Sequence, residues 1–341
     1  MNFFENIVGN HALTERLTRD IKDGLLSHAY ILEGPRGSGR NTIALTAAAA
    51  ISCQNRDKNS VVPCLKCPNC KKIMSGQSPD IFSVSLEDDK AFIGIEAIRN
   101  IKGELYTAPN DLDVKIYIIN DADKLTLQAQ NAFLLSLEEP PEYVLFFLIC
   151  ENSVSLLETI RSRAPTFRTE RISNFEIEKY ILSNDARARE LKDSSPEDFK
   201  TLICVSNGSI GYALELLDAR RRKQVFDNRR VAINIVSLLS DANRKAIFET
   251  IVGMGSKRQE ISRQIVFLQY ALRDLILLKR SDDVALCLFE DRDNASELAT
   301  HFTSKSLIDL YDATTGLLED LERNANVRVA LISMMQNANL I

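Results

Sequence analysis

An α/β core followed by an all-helical remainder is the fold class the sequence predicts, and three observations predict it. Short apolar runs alternate with amphipathic segments between residues 29 and 150. The first of those runs feeds a glycine-rich turn that opens an Ala-rich segment. Beyond about residue 170 the strand signals stop and helical periodicity takes over. With 341 residues the chain has room for two or three domains. Its 45% hydrophobic and 26% charged residues exclude global disorder.

Taken in order, Leu13, Leu17, Ile21 and Leu25 fall four residues apart and predict one helix face over 10–25. Residues 29–32 (AYIL) read as a buried strand, and 42–52 as a helix. Residues 80–84 read as a strand and 93–105 as a helix. Lys115–Ile119 is a strand, 125–137 a helix, and Val144–Cys150 a strand. Strands alternating with helices imply a mostly parallel sheet covered on both faces. Helices follow at 175–182, 196–206 and 209–217, and the basic run RRRK at 220–223 marks a boundary. Residues 224–341 read as a helical bundle. In it Leu307, Leu310, Thr314, Leu317 and Leu321 step along one face, and 327–335 is again amphipathic.

Charge and hydropathy exclude some functions. A net charge of −5 argues against a chain held to nucleic acid by its overall charge, and leaves room for a local basic face. For the run 220–223 a solvated helix end is preferred to a DNA contact, because no aromatics are interleaved with it. No apolar stretch approaches the roughly 18–20 residues of a membrane helix. The opening MNFFENIVGN lacks the basic-then-apolar order of a secretory signal, so a cytoplasmic location is expected.

Residues 34–41 read GPRGSGRN, after a strand and before a helix. In that setting glycines let backbone N–H groups curl round a phosphate at a helix N-terminus. The candidate contacts are Gly34, Gly37, Gly39, Arg40 and Thr42. The full pattern G-x-x-x-x-G-K-[ST] has lost both side chains that do chemistry. Arg40 stands for the Lys and Asn41 for the Mg²⁺-binding hydroxyl. Thr42 comes one residue late, about 100° round the helix. After the KIYII strand, Asn120 fills the slot of the metal-binding acid, and Asp121 that of the Glu that orients water. Loop geometry is thus a strong signal, ATP binding a weak one and hydrolysis weaker still.

The seven cysteines are unevenly spread. Cys53, Cys64, Cys67 and Cys70 fall within eighteen residues, and Cys150, Cys204 and Cys287 are solitary. Four thiolates at this spacing suit structural Zn²⁺, which takes four ligands at about 2.3 Å. An iron–sulfur cluster is the competing reading, and a set of free thiols the bland one. The solitary cysteines read as small buried apolar residues.

In their order these residues carry a resemblance. IVGNHALTERL, LLSHAYILEGPRGSGR, the four-cysteine insert, IGIEAIR, KIYIINDADKLT, QNAFLLSLEEPP, ETIRSRA, GSIGYALELL and LERNANVRVAL together resemble the bacterial DNA polymerase III clamp-loader AAA+ family. The resemblance implies an AAA+ core over 1–170 with a zinc module near 53–75, a small helical lid over 171–222 and a helical collar over 223–341. Within the family, the losses at Arg40, Asn41 and Asn120 point to the delta-prime type, a stator, rather than the ATP-hydrolysing gamma/tau type. Two more departures agree: Gly211 stands where motor subunits carry a phosphate-sensing Arg, and Cys150-Glu151 where they carry a sensing Thr or Asn. The SRA triplet at 162–164 matches the family's S-R-C motif, with Ala for Cys. The resemblance thereby implies that Arg163 acts as an arginine finger in a neighbour's ATP site, Arg161 being the adjacent alternative. Implied partners are gamma/tau-like and delta subunits, the sliding clamp through the complex, and primed DNA within it, with no membrane partner. Two rival functions are kept, a divergent gamma/tau-like motor and a zinc-dependent nucleic-acid-binding protein.

Overall fold

The computed structural model describes residues 7–55, 63–87, 90–241, 244–254, 257–281, 283–323, 325–338 and 340. Residues 1–6, 56–62 within the cysteine insert, and Asn324 within LERNANVRVAL lie outside that set. The chain divides into two compact units. One comprises Met1–Asn184 with Ser206–Ala213, the other Asp185–Val205 with Leu214–Ile341.

The first unit holds five strands: β1 (Ala29–Glu33), β2 (Ile81–Val84), β3 (Lys115–Ile119), β4 (Val144–Cys150) and β5 (Thr166–Arg168). They form one sheet in the order β2-β3-β4-β1-β5, and every pairing is parallel. Both faces are buried, which is why the central strands are continuously apolar instead of alternating with polar residues. Tyr30, Leu32, Ile116, Ile118, Leu145, Phe147 and Ile149 face one core cluster. Ala29, Ile31, Tyr117, Ile119, Phe146 and Leu148 face the other. This is the strand period of two, filled on both sides.

The helices of this unit are α1 (His11–Asp23), α2 (Arg40–Ile51), α3 (Pro68–Met74), α4 (Ile95–Leu105), α5 (Leu127–Glu138), α6 (Glu158–Arg161) and α7 (Asn174–Asn184). The four-residue spacing of α1 is real up to Ile21. Leu25 is 74% exposed, because Gly24 takes a left-handed conformation (φ 68°) and ends the helix before it. α2 begins two residues earlier than the periodicity implied, since its first turn belongs to the glycine loop. α4 and α5 each begin two residues later, because Ile93 and Leu125 pair as an isolated parallel bridge.

In the second unit α8 (Ala186–Ser194) and α9 (Pro196–Val205) come first; α10 (Ile210–Leu216) straddles the division of the chain. They are followed by α11 (Ala219–Ser240), α12 (Arg244–Val252), α13 (Arg258–Leu278), α14 (Arg292–Thr300), α15 (Ser304–Glu322) and α16 (Val327–Asn337). α13 packs against α11 and α15, and α15 against α16. The face expected from Leu307 to Leu321 is buried along α15, whose start is fixed by a reciprocal Thr303–Ser306 capping box. The basic run 220–223 occupies the first turn of α11, behind an Asp218 cap that accepts the N–H groups of Arg220 and Arg221. Among the described residues no helix is long and apolar enough to cross a membrane.

Candidate functional site

Two sites hang on the two ends of α2. The buried strand β1 delivers the chain to the carboxyl edge of the sheet, where Gly34 N–H donates to the Cys150 carbonyl of β4 (3.1 Å). Ligands of open parallel sheets bind beyond this edge. Gly34, Gly37 and Gly39 all have positive φ, of 156°, 76° and 87°. A side chain at Gly34 would run into Thr169, whose Oγ1 donates to Ser38 Oγ (2.9 Å). The expected glycine framework is therefore built, and only glycine fits it.

Its chemistry is altered as the residue types imply. Arg40 is 9% exposed, whereas Asn41 and Thr42 point to solvent. Burial pulls the Arg40 guanidinium below its ordinary value, and the charges of Glu151, Asp123 and Asp121 push it back. Arg40 thus lies in the field of the chain's own acids at the place where a phosphate loop offers a cation to its ligand. Asn120 turns away from the loop: its Nδ2 donates to Ser83 Oγ (3.0 Å) and Ser85 Oγ (3.1 Å). Both lie on the β2 side, across β3 from β4 and β1. Asp121 has left-handed backbone, and Asp123 accepts the Glu151 N–H (3.3 Å). Cys150 ends β4 as a neutral thiol, pushed up to about 12 by burial, then by Asp123 and Glu33.

The far end of α2 leads into the cysteines. The Sγ atoms of Cys53, Cys64, Cys67 and Cys70 all lie within 4.8 Å of one another. Four ligands at the Zn–S distance would sit about 3.8 Å apart along tetrahedral edges. Backbone N–H groups already point at the sulfurs: Cys64 N–H at Cys53 Sγ (3.4 Å), Cys67 N–H at Cys64 Sγ (3.2 Å) and Cys70 N–H at Cys67 Sγ (3.5 Å). These donors favour thiolates. Cys64 is drawn down to about 6, first by the Lys66 N–H and then by that of Cys67. Burial instead raises the thiols of Cys53 and Cys70. The four residues fit a four-coordinate thiolate metal with no open position. Cys53, Cys67, Cys70 and Ile73 also belong to the core cluster on one face of the sheet.

Arg163 follows the single turn of α6, which Ile160 anchors in the opposite core. Its guanidinium donates to the Thr159 carbonyl (3.0 Å) and to Glu138 Oε1 at the end of α5 (3.0 Å). Arg161 is exposed, and its Nε donates to the Leu156 carbonyl (3.3 Å). Ala164, the position of the motif's Cys, is 1% exposed. Two supporting residues were not singled out by sequence reasoning. Glu138 is the ion-pair partner of Arg163. Gln130 is 5% exposed and braces the segment before α6: its Oε1 accepts the Leu157 N–H (2.8 Å), and its Nε2 donates to the carbonyls of Leu125 (3.1 Å) and Ser155 (3.3 Å). Both lie in QNAFLLSLEEPP. The one available signal was a glutamine on a helix face that otherwise holds Ala129, Phe133, Ser136 and Leu137.

Residues 9–173 match the family model described as DNA polymerase III, delta subunit. Over 317 residues the chain is 27% identical to DNA polymerase III subunit delta' of Bacillus subtilis, covering 92% of this chain and 91% of that one. By these matches the chain is similar to the clamp-loader subunits of DNA polymerase III. Two other subunits of DNA polymerase III match this chain as well. Identity is 32% over 219 residues both to subunit tau of B. subtilis and to subunit gamma of Buchnera aphidicola. The matches cover 63% of this chain but only 37% and 58% of those relatives. Among solved structures, a gamma subunit-related protein of Thermotoga maritima is 19% identical over 95% of this chain and 97% of its own, with a TM-score of 0.45.

Proposed function

We propose that this chain is a delta-prime-like stator of a DNA polymerase III clamp loader, one that does not itself turn over ATP. The observation that carries the reading is the condition of the phosphate site. Its glycine turn is intact, yet Arg40 and Asn41 replace the catalytic side chains and Asn120 is bonded toward β2. Hydrolysis needs a phosphate-bound cation and a metal acid together, and both halves have changed. The cysteine cluster would hold a structural zinc ion through Cys53, Cys64, Cys67 and Cys70. Such an ion cross-links the insert without chemistry of its own. Gamma/tau-like and delta subunits, the sliding clamp and primed DNA would be met as parts of one cytoplasmic assembly. The division into a core (1–170), a lid (171–222) and a collar (223–341) belongs to the same proposal.

Arg163 would supply the chemical contribution, in a neighbour's site. A guanidinium set against developing phosphoryl charge is worth roughly 10³–10⁵ in rate. To reach it, Arg163 leaves Glu138, an exposed ion pair worth no more than about 1 kcal/mol. Reconstitution with motor and delta subunits tests this. With Arg163→Ala, assembly by gel filtration should be unchanged and clamp-stimulated ATPase lowered by the share of the site it serves. An unaltered rate removes the finger assignment. Brisk hydrolysis of Mg-ATP by the chain alone removes the stator.

A further inference from the structure

We infer that the Ser206–Ala213 segment is a latch that holds the phosphate loop shut without nucleotide. The inference rests on the non-hydrolysing reading of this loop and says how the loop is kept idle. Two glycines meet back to back. Gly211 N–H donates to the Gly37 carbonyl (3.1 Å), and Ser209 Oγ donates to the Arg36 carbonyl (3.1 Å). The same Ser209 Oγ accepts the Tyr212 N–H (3.0 Å), so one hydroxyl both starts α10 and grips the loop. A Cβ on Gly211 would come within 2.9 Å of the Gly37 Cα and 3.1 Å of its carbonyl oxygen. A Cβ on Gly37 would collide with Ser209 and come within 2.9 Å of the Tyr212 nitrogen. The contact therefore exists only because both positions lack a side chain.

Two further ties close the loop from its other side. Gly34 sits under Thr169, whose hydroxyl holds Ser38 (2.9 Å) and whose N–H donates to the Glu33 carbonyl (2.8 Å). Ile172 N–H reaches the Gly208 carbonyl (3.3 Å), which joins the strap beyond β5 to the latch segment. Loop, strap and latch thus form one hydrogen-bonded ring, made by the chain alone. A nucleotide-driven subunit needs these parts to separate and close again as ligand comes and goes. Here the closed arrangement has internal partners already.

Gly211→Ala separates this reading from ordinary helix physics. Alanine in the first turn of a helix should stabilise it. If the latch holds, the added methyl instead pushes α10 off the loop. Hydrogen exchange of the full chain is the measurement. Amides of residues 34–39 and 208–213 should exchange about ten-fold faster in Gly211→Ala than in the wild type, while amides of β3 and β4 stay protected. Ser209→Ala, which adds no bulk, should loosen the same two segments by about three-fold. In the wild type, millimolar Mg-ATP should leave both segments unchanged. Unchanged exchange in both variants, or protection of the wild-type loop by Mg-ATP, overturns the latch. Neither outcome depends on Arg163 or on a reconstituted assembly, so failure here is distinct from failure of the stator reading.

Discussion

The two ends of α2 have been treated differently. At its C-terminal end all four sulfurs are present, converge within 4.8 Å and are met by backbone N–H groups. At its N-terminal end the backbone is equally well built, but the side chains that would do chemistry are replaced. The difference teaches what each site asks of its residues. A metal cross-link needs the donor atoms themselves, so losing one thiolate ends it. A strand-to-helix turn needs only glycines, and packing alone can require them whether or not a ligand binds. Gly34 under Thr169 and Gly37 against Gly211 are such reasons. An intact glycine framework is therefore evidence about architecture, and an intact ligand set is evidence about function.

The largest expected effect lies at the cysteine end. Cys70 is fully buried, so Cys70→Ser removes one ligand from the middle of a core. It should abolish stoichiometric zinc and cost more than about 4 kcal/mol, as losing a structural metal does. Metal analysis beside a denaturation curve checks both. A variant that keeps its metal and its stability would mean that packing alone holds this end, and the contrast with the loop would vanish.

Asp80→Asn sharpens the same point with a smaller effect. The Asp80 carboxylate is fully buried and accepts the N–H groups of Asn110 (2.6 Å), Asp111 (2.7 Å) and Leu112 (2.8 Å). Leu112 belongs to the core cluster that contains Cys67 and Cys70. Burial alone would raise this carboxyl, but the three donors outweigh it and hold it below the usual range. A depressed carboxylate stabilises the fold above its unfolded pKa, and that stability is lost as pH falls through the folded value. The amide should cost about 2–3 kcal/mol at pH 7. The gap between the two proteins should then narrow as pH drops below about 4. A gap that stays constant with pH would show that the carboxylate's charge contributes nothing.

The parts legible in the sequence were those where local chemistry and tertiary position agree. Lys115–Ile119 and Val144–Cys150 were read to the residue, because strands buried on both faces are apolar throughout. The cysteine cluster was legible from spacing and the loop from its glycines. β5 was missed: three residues after a proline, paired only to β1, are too few to show a period. α8 was missed because ARARELKDS buries only Ala188 and Leu191. The latch was beyond any local reading, since Arg36 and Ser209 are 173 positions apart. Glu138 escaped notice because a carboxylate at a helix C-terminus looks like an unfavourable surface charge until Arg163 is placed beside it.

The smallest effect is expected where the motif suggests the largest. Arg40→Lys with Asn41→Thr rewrites the loop to the full phosphate-binding pattern. Lys would keep a positive charge among Glu151, Asp123 and Asp121, and position 41 is exposed, so stability should move by no more than about 1 kcal/mol. Turnover of Mg-ATP by the double variant should nevertheless stay at the background of the wild type. The repair leaves Asn120, an amide bonded to Ser83 and Ser85, in the slot of the metal-binding acid, and it leaves Gly211 against Gly37. If the two substitutions conferred hydrolysis, the loop side chains alone would decide whether this site turns over ATP. The two ends of α2 would then differ only in which residues had been exchanged, and not in what their surroundings permit.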